Sequence, residues 1–225
     1  MDPLAEKMVA WTPYRYGLDN PIRMFDSDGK IEIDPKVAKQ YPGLVTYAKN
    51  LASTYANKPQ AFRDKFKQYS GMTNKEIKDF VTYNKGPRVT VAELDKDANH
   101  RTNGVTILYP ENGNLVNSDE NGKYVKGGGR GLIKIDNDVV SMYEGAKTMG
   151  DKQAAEVLLE STLFHEGVHK GTGTRKSNEN EYDNNGKEKG KEFEKSYYGV
   201  DVGRDNAQRI GNPELKAVAI KPNFN

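Results

Sequence analysis

Apolar side chains recur every three or four residues between positions 41 and 81, which is the period of a helix with one buried face. This pattern predicts one helix over residues 41–55 and a second over residues 59–69. A third helix is predicted after Thr73, because Thr73 and Glu76 form a capping-box pattern ahead of further apolar residues. We expect these three helices to pack the core rather than to carry chemistry.

Short runs rich in β-branched residues predict strands in the middle of the chain. These runs cover residues 31–33, 88–92, 105–109 and 132–135. The asparagine–glycine pairs at 112–113 and 121–122 predict tight turns. Further helices are predicted after residue 136, so the chain is expected to have an α+β fold.

A helix of strong helix formers is predicted between Gly150 and a glycine stop at Gly171, and it contains the pattern H-E-x-x-H. Residues four apart share one face of a helix, so His165 and His169 can direct both imidazoles at one ion. Glu166 lies beside them, within reach of a water on that ion. In zinc peptidases this pattern holds Zn²⁺ and supplies the general base, which predicts hydrolysis of a protein or peptide. The alternative is an ordinary amphipathic helix with two histidines.

A catalytic zinc site needs a third protein ligand beside two histidines. The longer pattern H-E-x-x-H-x-x-G-x-x-H fails, since Thr172 and Arg175 stand where it requires glycine and histidine. His100 lies far upstream in a polar segment. We therefore expect a carboxylate from a later element, as in the thermolysin-like pattern with a glutamate on the next helix.

The sequence favours Glu194 as this third ligand. On a helical wheel drawn over residues 186–199, Glu194 falls on the same side as Phe193 and Tyr197. A carboxylate on that inner face is costly to bury unless it binds a cation or a partner.

Two other carboxylates stay open as the third ligand. Glu188 falls on the outer side of the wheel, but its distance in sequence from His169 resembles the thermolysin-like spacing. Asp183 is a further option. A charged surface helix without any ligand is the alternative interpretation of this segment.

The composition of the 225 residues is that of a globular protein, with 35% hydrophobic and 29% charged residues. A net charge of +2, with lysines scattered among acids, argues against a nucleic-acid partner. The absence of cysteine excludes both a disulfide scaffold and a thiolate metal site. No stretch predicts a membrane span, and the N-terminus has no signal-peptide pattern.

Turn-forming motifs fill the first 29 residues of the chain. They are D-P-L-A-E-K at 2–7, T-P-Y-R-Y at 12–16, D-N-P-I at 19–22 and D-S-D-G at 26–29. Together they resemble the end of the core of bacterial rearrangement-hotspot (RHS) repeat proteins, where similar motifs close a β-shell ahead of a C-terminal toxin. The resemblance implies two parts: residues 1–29 as the tail of the RHS core and residues 30–225 as a toxin domain.

Residues 188–199 are similar to the E-x-G-x-x-F-E-x-x-x-Y-G tail that follows H-E-x-x-H in some peptidase-like toxins. The resemblance implies an exported effector that acts inside a bacterial or host target cell. It also implies two partners, a cognate immunity protein and the RHS shell of the parent polypeptide. A non-peptidase effector and an inactive RHS remnant are the alternative interpretations.

The fold implied is zincin-like, with a helical N-terminal part, a small mixed β-sheet, and the H-E-x-x-H helix followed by a second ligand-bearing helix. In zincin folds a strand shortly before the metal helix forms the sheet edge along which an extended substrate can pair. Residues 132–135 are predicted to take that position.

Overall fold

The computed structural model describes residues 33, 35–83, 85–96, 101–107, 131–173, 182–183 and 185–211. The RHS-like segment 1–29 and His100 lie outside these residues, as does most of the strand predicted at 31–33. Ile33 of that strand is described, and it pairs in parallel with Val89.

Within the described residues the chain forms eight helices and three strands, in an α+β arrangement that is mostly helical. The helices are α1 (Pro35–Gln40), α2 (Pro42–Ala56), α3 (Gln60–Ser70), α4 (Asn74–Val81), α5 (Asn137–Gly145), α6 (Met149–Gly173), α7 (Lys189–Tyr198) and α8 (Ala207–Gly211). The strands are β1 (Arg88–Ala92), β2 (Gly104–Ile107) and β3 (Leu132–Asp136). None of the described helices has both the length and the apolar character that membrane crossing requires.

The three helices predicted between residues 41 and 81 are confirmed as α2, α3 and α4. The capping box at the start of α4 is formed from both sides. Thr73 Oγ1 accepts a hydrogen bond from the Glu76 N–H at 3.2 Å, and Glu76 Oε2 accepts one from the Thr73 N–H at 2.7 Å. Helix α3 ends at Gly71, whose φ of 61° is a left-handed conformation that glycine adopts without a steric penalty.

The sheet is mixed, and β3 lies at its centre. β1 pairs with β3 in parallel and β2 pairs with β3 antiparallel. The prediction that residues 132–135 form a sheet edge is therefore wrong, since both sides of β3 are paired. The physical reason is burial, because Ile133 and Ile135 of β3 are fully enclosed in the core. In the described sheet, the edge strand that contacts α6 is β2.

Helix α6 is packed at the centre of the core by aromatic rings. Phe164 of α6 is fully buried, and its ring centroid lies 5.0 Å from that of Phe62 and 4.9 Å from that of Phe66, both on α3. Phe193 of α7 joins the group, 5.6 Å from Phe62. Each ring contributes about 1.5–3 kcal/mol through burial. The aromatic group therefore holds α3 and α7 in fixed positions relative to α6.

A buried arginine fastens the segment after α7 to the end of β3. Arg204 is 7% exposed, and its Nη2 donates to Asp136 Oδ1 at 2.6 Å. Its Nη1 donates to Asp95 Oδ2 at 2.7 Å. Asp136 is fully buried, so these charges require one another. The contacts hold residues 201–205 next to the sheet.

Two glycines let α6 approach its neighbours closely. A Cβ at Gly167 would lie 2.6 Å from Cζ of Phe80 and 3.0 Å from Cε2 of Phe66. A Cβ at Gly171 would collide with the main-chain oxygen of Ser70. The expectation that Gly171 stops the helix is wrong, because α6 continues to Gly173 and Gly171 serves this close packing instead.

We predict that Gly167→Ala destabilises the protein by about 1–3 kcal/mol, because the added methyl group overpacks the aromatic core. The measurement is urea unfolding followed by circular dichroism. Gly150→Ala in the first turn of α6 is the matched control. The nearest atom to a Cβ there is 3.9 Å away, so this variant should be neutral or slightly more stable. Equal stability of the two variants would contradict the close approach at Gly167.

Candidate metal centre

Helix α6 presents the two motif histidines side by side. The ring centroids of His165 and His169 are 4.9 Å apart, one helical turn along the same face. The helix is continuous from residue 149 to residue 173, which confirms the helical setting predicted for the motif. Both side chains are mostly buried, with 17% and 15% of their surface exposed.

Glu188 lies between the two imidazoles. His169 Nε2 is 3.1 Å from Glu188 Oε1, and His165 Nε2 is 3.4 Å from Glu188 Oε2. One ligand atom from each of these three residues lies within 4.8 Å of the other two. We call this group the histidine–glutamate cluster.

The position of Glu188 follows from its role at the start of α7. Its carboxylate caps the helix, accepting hydrogen bonds from the Gly190 N–H at 2.5 Å and the Lys191 N–H at 3.0 Å. A carboxylate at a helix N-terminus also benefits from the helix dipole. Glu188 precedes the helix body, so the wheel drawn from residue 186 did not describe its direction.

Glu194 is buried on the inner face of α7, as its position on the wheel predicted, and is 2% exposed. Its carboxylate meets the other ring nitrogen of His165, with Oε1 3.3 Å from Nδ1. Its Oε2 accepts a hydrogen bond from the Val202 N–H at 2.9 Å. Glu194 thus lies on the side of the His165 ring away from the cluster, in the arrangement of a carboxylate that orients a metal-binding histidine. His169 Nδ1 is buried and finds no hydrogen-bond partner among the described residues.

Asp183 lies outside the histidine–glutamate cluster. Its Oδ1 accepts hydrogen bonds from the Asn185 N–H at 2.8 Å and the Lys187 N–H at 2.9 Å. The bond from Lys187 is the main reason that the pKa of Asp183 is lowered. This carboxylate therefore stabilises the turn that leads into α7.

Glu166 points toward strand β2 and is 4% exposed. Its Oε2 accepts a hydrogen bond from Thr106 Oγ1 at 2.7 Å. Burial raises the pKa of Glu166, while the histidines and the Thr106 hydroxyl act in the opposite direction. A buried carboxylate with a raised pKa next to two histidines that could hold a metal ion is suited to accept and release protons.

Charges around the rings shift the pKa values of the cluster. Burial lowers the pKa of His165, but the hydrogen bond to Glu194 and the surrounding negative charges outweigh it and raise the pKa to about 9. Burial alone would raise the pKa of Glu188, but the two histidines hold it at about 2. Burial raises the pKa of Glu194 to about 7 against the opposing effect of His165. A cation bound at the Nε2 atoms has to displace the His165 proton, because histidine binds metals in its neutral form.

The residues of the cluster fit a divalent metal ion. Two imidazole nitrogens and one carboxylate make up a donor set used by catalytic metal sites. Gly190 leaves room for the His165 ring, because a Cβ at position 190 would lie only 2.5 Å from Nε2 of that ring. The main chain of α7 can therefore lie directly against the ring.

A second acidic group lies at the end of β1. Glu93, Asp95 and Asp136 also bring ligand atoms within 4.8 Å of one another. Arg204 already provides the positive charge there, through its bonds to both aspartates. We therefore assign this group a structural role.

A cavity of about 440 Å³ opens beside His165 and Glu166. Its walls come from α6, from Lys191 and Glu194 of α7, from residues 101–104 leading into β2, and from residues 201–205 after α7. This volume falls in the range of small-ligand sites and can hold side chains of a peptide.

A known protein family matches the part of the chain that contains the histidine–glutamate cluster. The family model described as Metallopeptidase toxin 3 matches residues 37–199, which include the motif on α6 and all of α7. The chain belongs to this family. The same comparisons found no significant match among curated proteins or solved structures. Membership supports a toxin with metallopeptidase activity and a metal cofactor. The RHS context of residues 1–29 remains a prediction.

Several contacts that shape the site of this metallopeptidase toxin were not predicted from the sequence. Thr106 and Gly104 of β2 contact Glu166, and Val202 supports Glu194. The sequence gives one indication of the contacts from β2. Gly104 and Thr106 are two residues apart, which puts both on one face of a strand. The close approach of Gly190 to His165 was not foreseen either.

We predict that Gly190→Ala weakens metal binding about 10–100-fold, because the added methyl group collides with the His165 ring and displaces it. Isothermal titration of the metal-free protein with Zn²⁺ measures the change. Gly145→Ala at the end of α5 is the control, since a Cβ there meets nothing within 4 Å. Unchanged zinc affinity in Gly190→Ala would show that the ring does not depend on this contact.

Proposed function

We propose that this chain is a zinc-dependent metallopeptidase toxin in which His165, His169 and Glu188 hold the ion and Glu166 is the general base. The observation that carries the proposal is the convergence of one nitrogen from each imidazole and one Glu188 oxygen within 4.8 Å, with both Nε2 atoms facing the Glu188 carboxylate. Membership of the Metallopeptidase toxin 3 family supports the same chemistry. Two histidines and a glutamate on a following helix form a donor set typical of catalytic zinc.

Glu188 is preferred to Glu194 as the third ligand. The Glu188 oxygens face the Nε2 atoms of both histidines, whereas Glu194 faces only Nδ1 of His165. We therefore assign Glu194 an orienting role. Accepting the Nδ1–H of His165, it fixes the neutral tautomer whose Nε2 lone pair is free to bind metal.

The remaining chemistry follows from the positions of the side chains. A zinc ion held in the cluster supplies Lewis-acid chemistry that activates water and polarises a carbonyl group. Glu166 takes a proton from the attacking water and passes it to the leaving amine. A positioned base of this kind contributes about 10²–10⁴ in rate. The cavity beside Glu166 receives the polypeptide substrate.

The biological setting of the proposal comes from the toxin family and the RHS resemblance. We propose that residues 30–225 are the toxin domain of an exported protein, which acts inside a bacterial or host target cell. A cognate immunity protein would protect the producing cell, and the RHS shell of the parent polypeptide would carry the toxin.

Glu166→Gln should bind zinc at the wild-type stoichiometry and lose at least about 100-fold in peptide-bond cleavage, because the amide cannot accept the proton. Metal content is measured by mass spectrometry. Cleavage is measured from new peptide termini in a bacterial lysate exposed to the protein. Glu156→Gln, an exposed position on the same helix, is the control and should cleave like the wild type.

Three results would contradict parts of the proposal. Full cleavage by Glu166→Gln would exclude it as the base. Bound zinc without peptide cleavage in the wild type would favour another metal-dependent hydrolase. Absence of stoichiometric zinc would favour an inactive remnant.

The ligand assignment makes a separate prediction. Glu188→Gln should lose stoichiometric zinc, whereas Glu194→Gln should keep zinc with an affinity about 10–100-fold lower. Glu192→Gln on α7 is the matched control and should bind zinc like the wild type, because this carboxylate pairs with Lys187 and Lys195 rather than with the histidines. The measurement is zinc titration with a competing chelator. The reverse order of the first two variants would establish Glu194 as the ligand.

A further inference from the structure

Strand β2 contacts the proposed general base at two positions. Thr106 Oγ1 lies 2.7 Å from Glu166 Oε2 and 2.9 Å from the main-chain oxygen of Glu166. Gly104 is two residues earlier and so lies on the same face of the strand. A Cβ at Gly104 would be 2.9 Å from Glu166 Cγ and 3.0 Å from Glu166 Oε1. One strand face thus meets both oxygens of the same carboxylate.

The Thr106 hydroxyl has one hydrogen and two acceptors within reach. A bond to a charged carboxylate is roughly twice as strong as a bond to a neutral carbonyl, so Oε2 is the favoured acceptor. Among the described residues, the side chain that donates a hydrogen bond to this carboxylate is that of Thr106. Because Glu166 is 4% exposed, water offers little replacement for that bond.

A general base requires a fixed direction as well as a suitable pKa. The glutamate side chain has three rotatable bonds, and a catalytic group has to stay within about 0.5 Å of its productive position. The Thr106 bond occupies Oε2, which leaves Oε1 for proton transfer. Residue 104 has no side chain, so space remains beside Oε1.

We propose that Thr106 is a positioning residue for Glu166: its hydroxyl holds Oε2 on strand β2 and so presents Oε1 to the reacting water. The inference rests on the proposed role of Glu166 as general base. The strand that forms an edge of the described sheet thereby takes part in catalysis through a side chain.

The test compares Thr106→Val, which removes the hydroxyl at nearly constant shape, with Thr106→Ser, which keeps it. We expect Thr106→Val to lower kcat about 10–100-fold, a part of the ~10²–10⁴ that the base contributes. KM and zinc content should stay within about twofold of the wild type, since neither depends on the direction of Glu166. Thr106→Ser should keep kcat within about threefold. Thr90→Val on β1 is the matched control and should have wild-type kcat.

A double variant separates positioning from general damage. Thr106→Val added to Glu166→Gln should cause no further loss, because the group that Thr106 positions is already inactive. A full additional loss in the double variant would overturn the inference. So would wild-type kcat in Thr106→Val, equal damage in Thr106→Ser, or loss of zinc from Thr106→Val.

The controls distinguish failure of this inference from failure of the proposed function. Full activity of Glu166→Gln would contradict both the proposed role of Glu166 as general base and the inference, since Thr106 would then have no base to position. Inactive Glu166→Gln together with fully active Thr106→Val would overturn the role of Thr106 alone.

Discussion

The candidate metal centre depends on the contact between the N-terminus of α7 and one face of α6. At that contact a single carboxylate, Glu188, caps α7 through two main-chain amides and faces both imidazoles of α6. The amides hold the carboxylate in place without a metal ion, so its direction is largely fixed in advance. Gly190 permits the approach because it has no side chain. The contact is maintained further along α7 by Phe193, which is fully buried against the aromatic core.

The helical part of the site could be predicted because it follows from local rules. The spacing of His165 and His169 places them on one face of any helix, and the surrounding residues favour a helix. The place of Glu188 was harder to predict, because a helical wheel describes only the body of a helix. Glu188 is the N-cap residue of α7, so it precedes the helix body to which the wheel applies, and glutamate is not among the residues preferred at that position. Glu194 was placed correctly on the inner face, but what that face touches is a tertiary property.

The order of the strands in the sheet was also hard to predict, because it depends on contacts between residues that are far apart in the sequence. The strands β1, β2 and β3 were visible as short β-branched runs, but their lateral order depends on which faces the rest of the fold buries. Thr106 meets Glu166 across 60 positions of sequence, and Arg204 meets Asp136 across 68. Such pairs depend on how whole helices and strands pack together, and this packing cannot be derived from the local patterns of a single sequence.

One part of the cavity wall lies outside the region that matches the family, whereas the residues of the histidine–glutamate cluster lie inside it. Residues 201–205 lie beyond residue 199, where the match to the family ends, while His165, His169 and Glu188 all lie inside it. The wall supports the centre through a main-chain group, the Val202 N–H, which bonds Glu194. Among wall residues 201–205, Val202 thus acts through its main chain, whereas Arg204 acts through its side chain, which binds Asp95 and Asp136. This side of the cavity therefore belongs to a part of the chain that the family match does not cover, although it supports a glutamate that the match does cover.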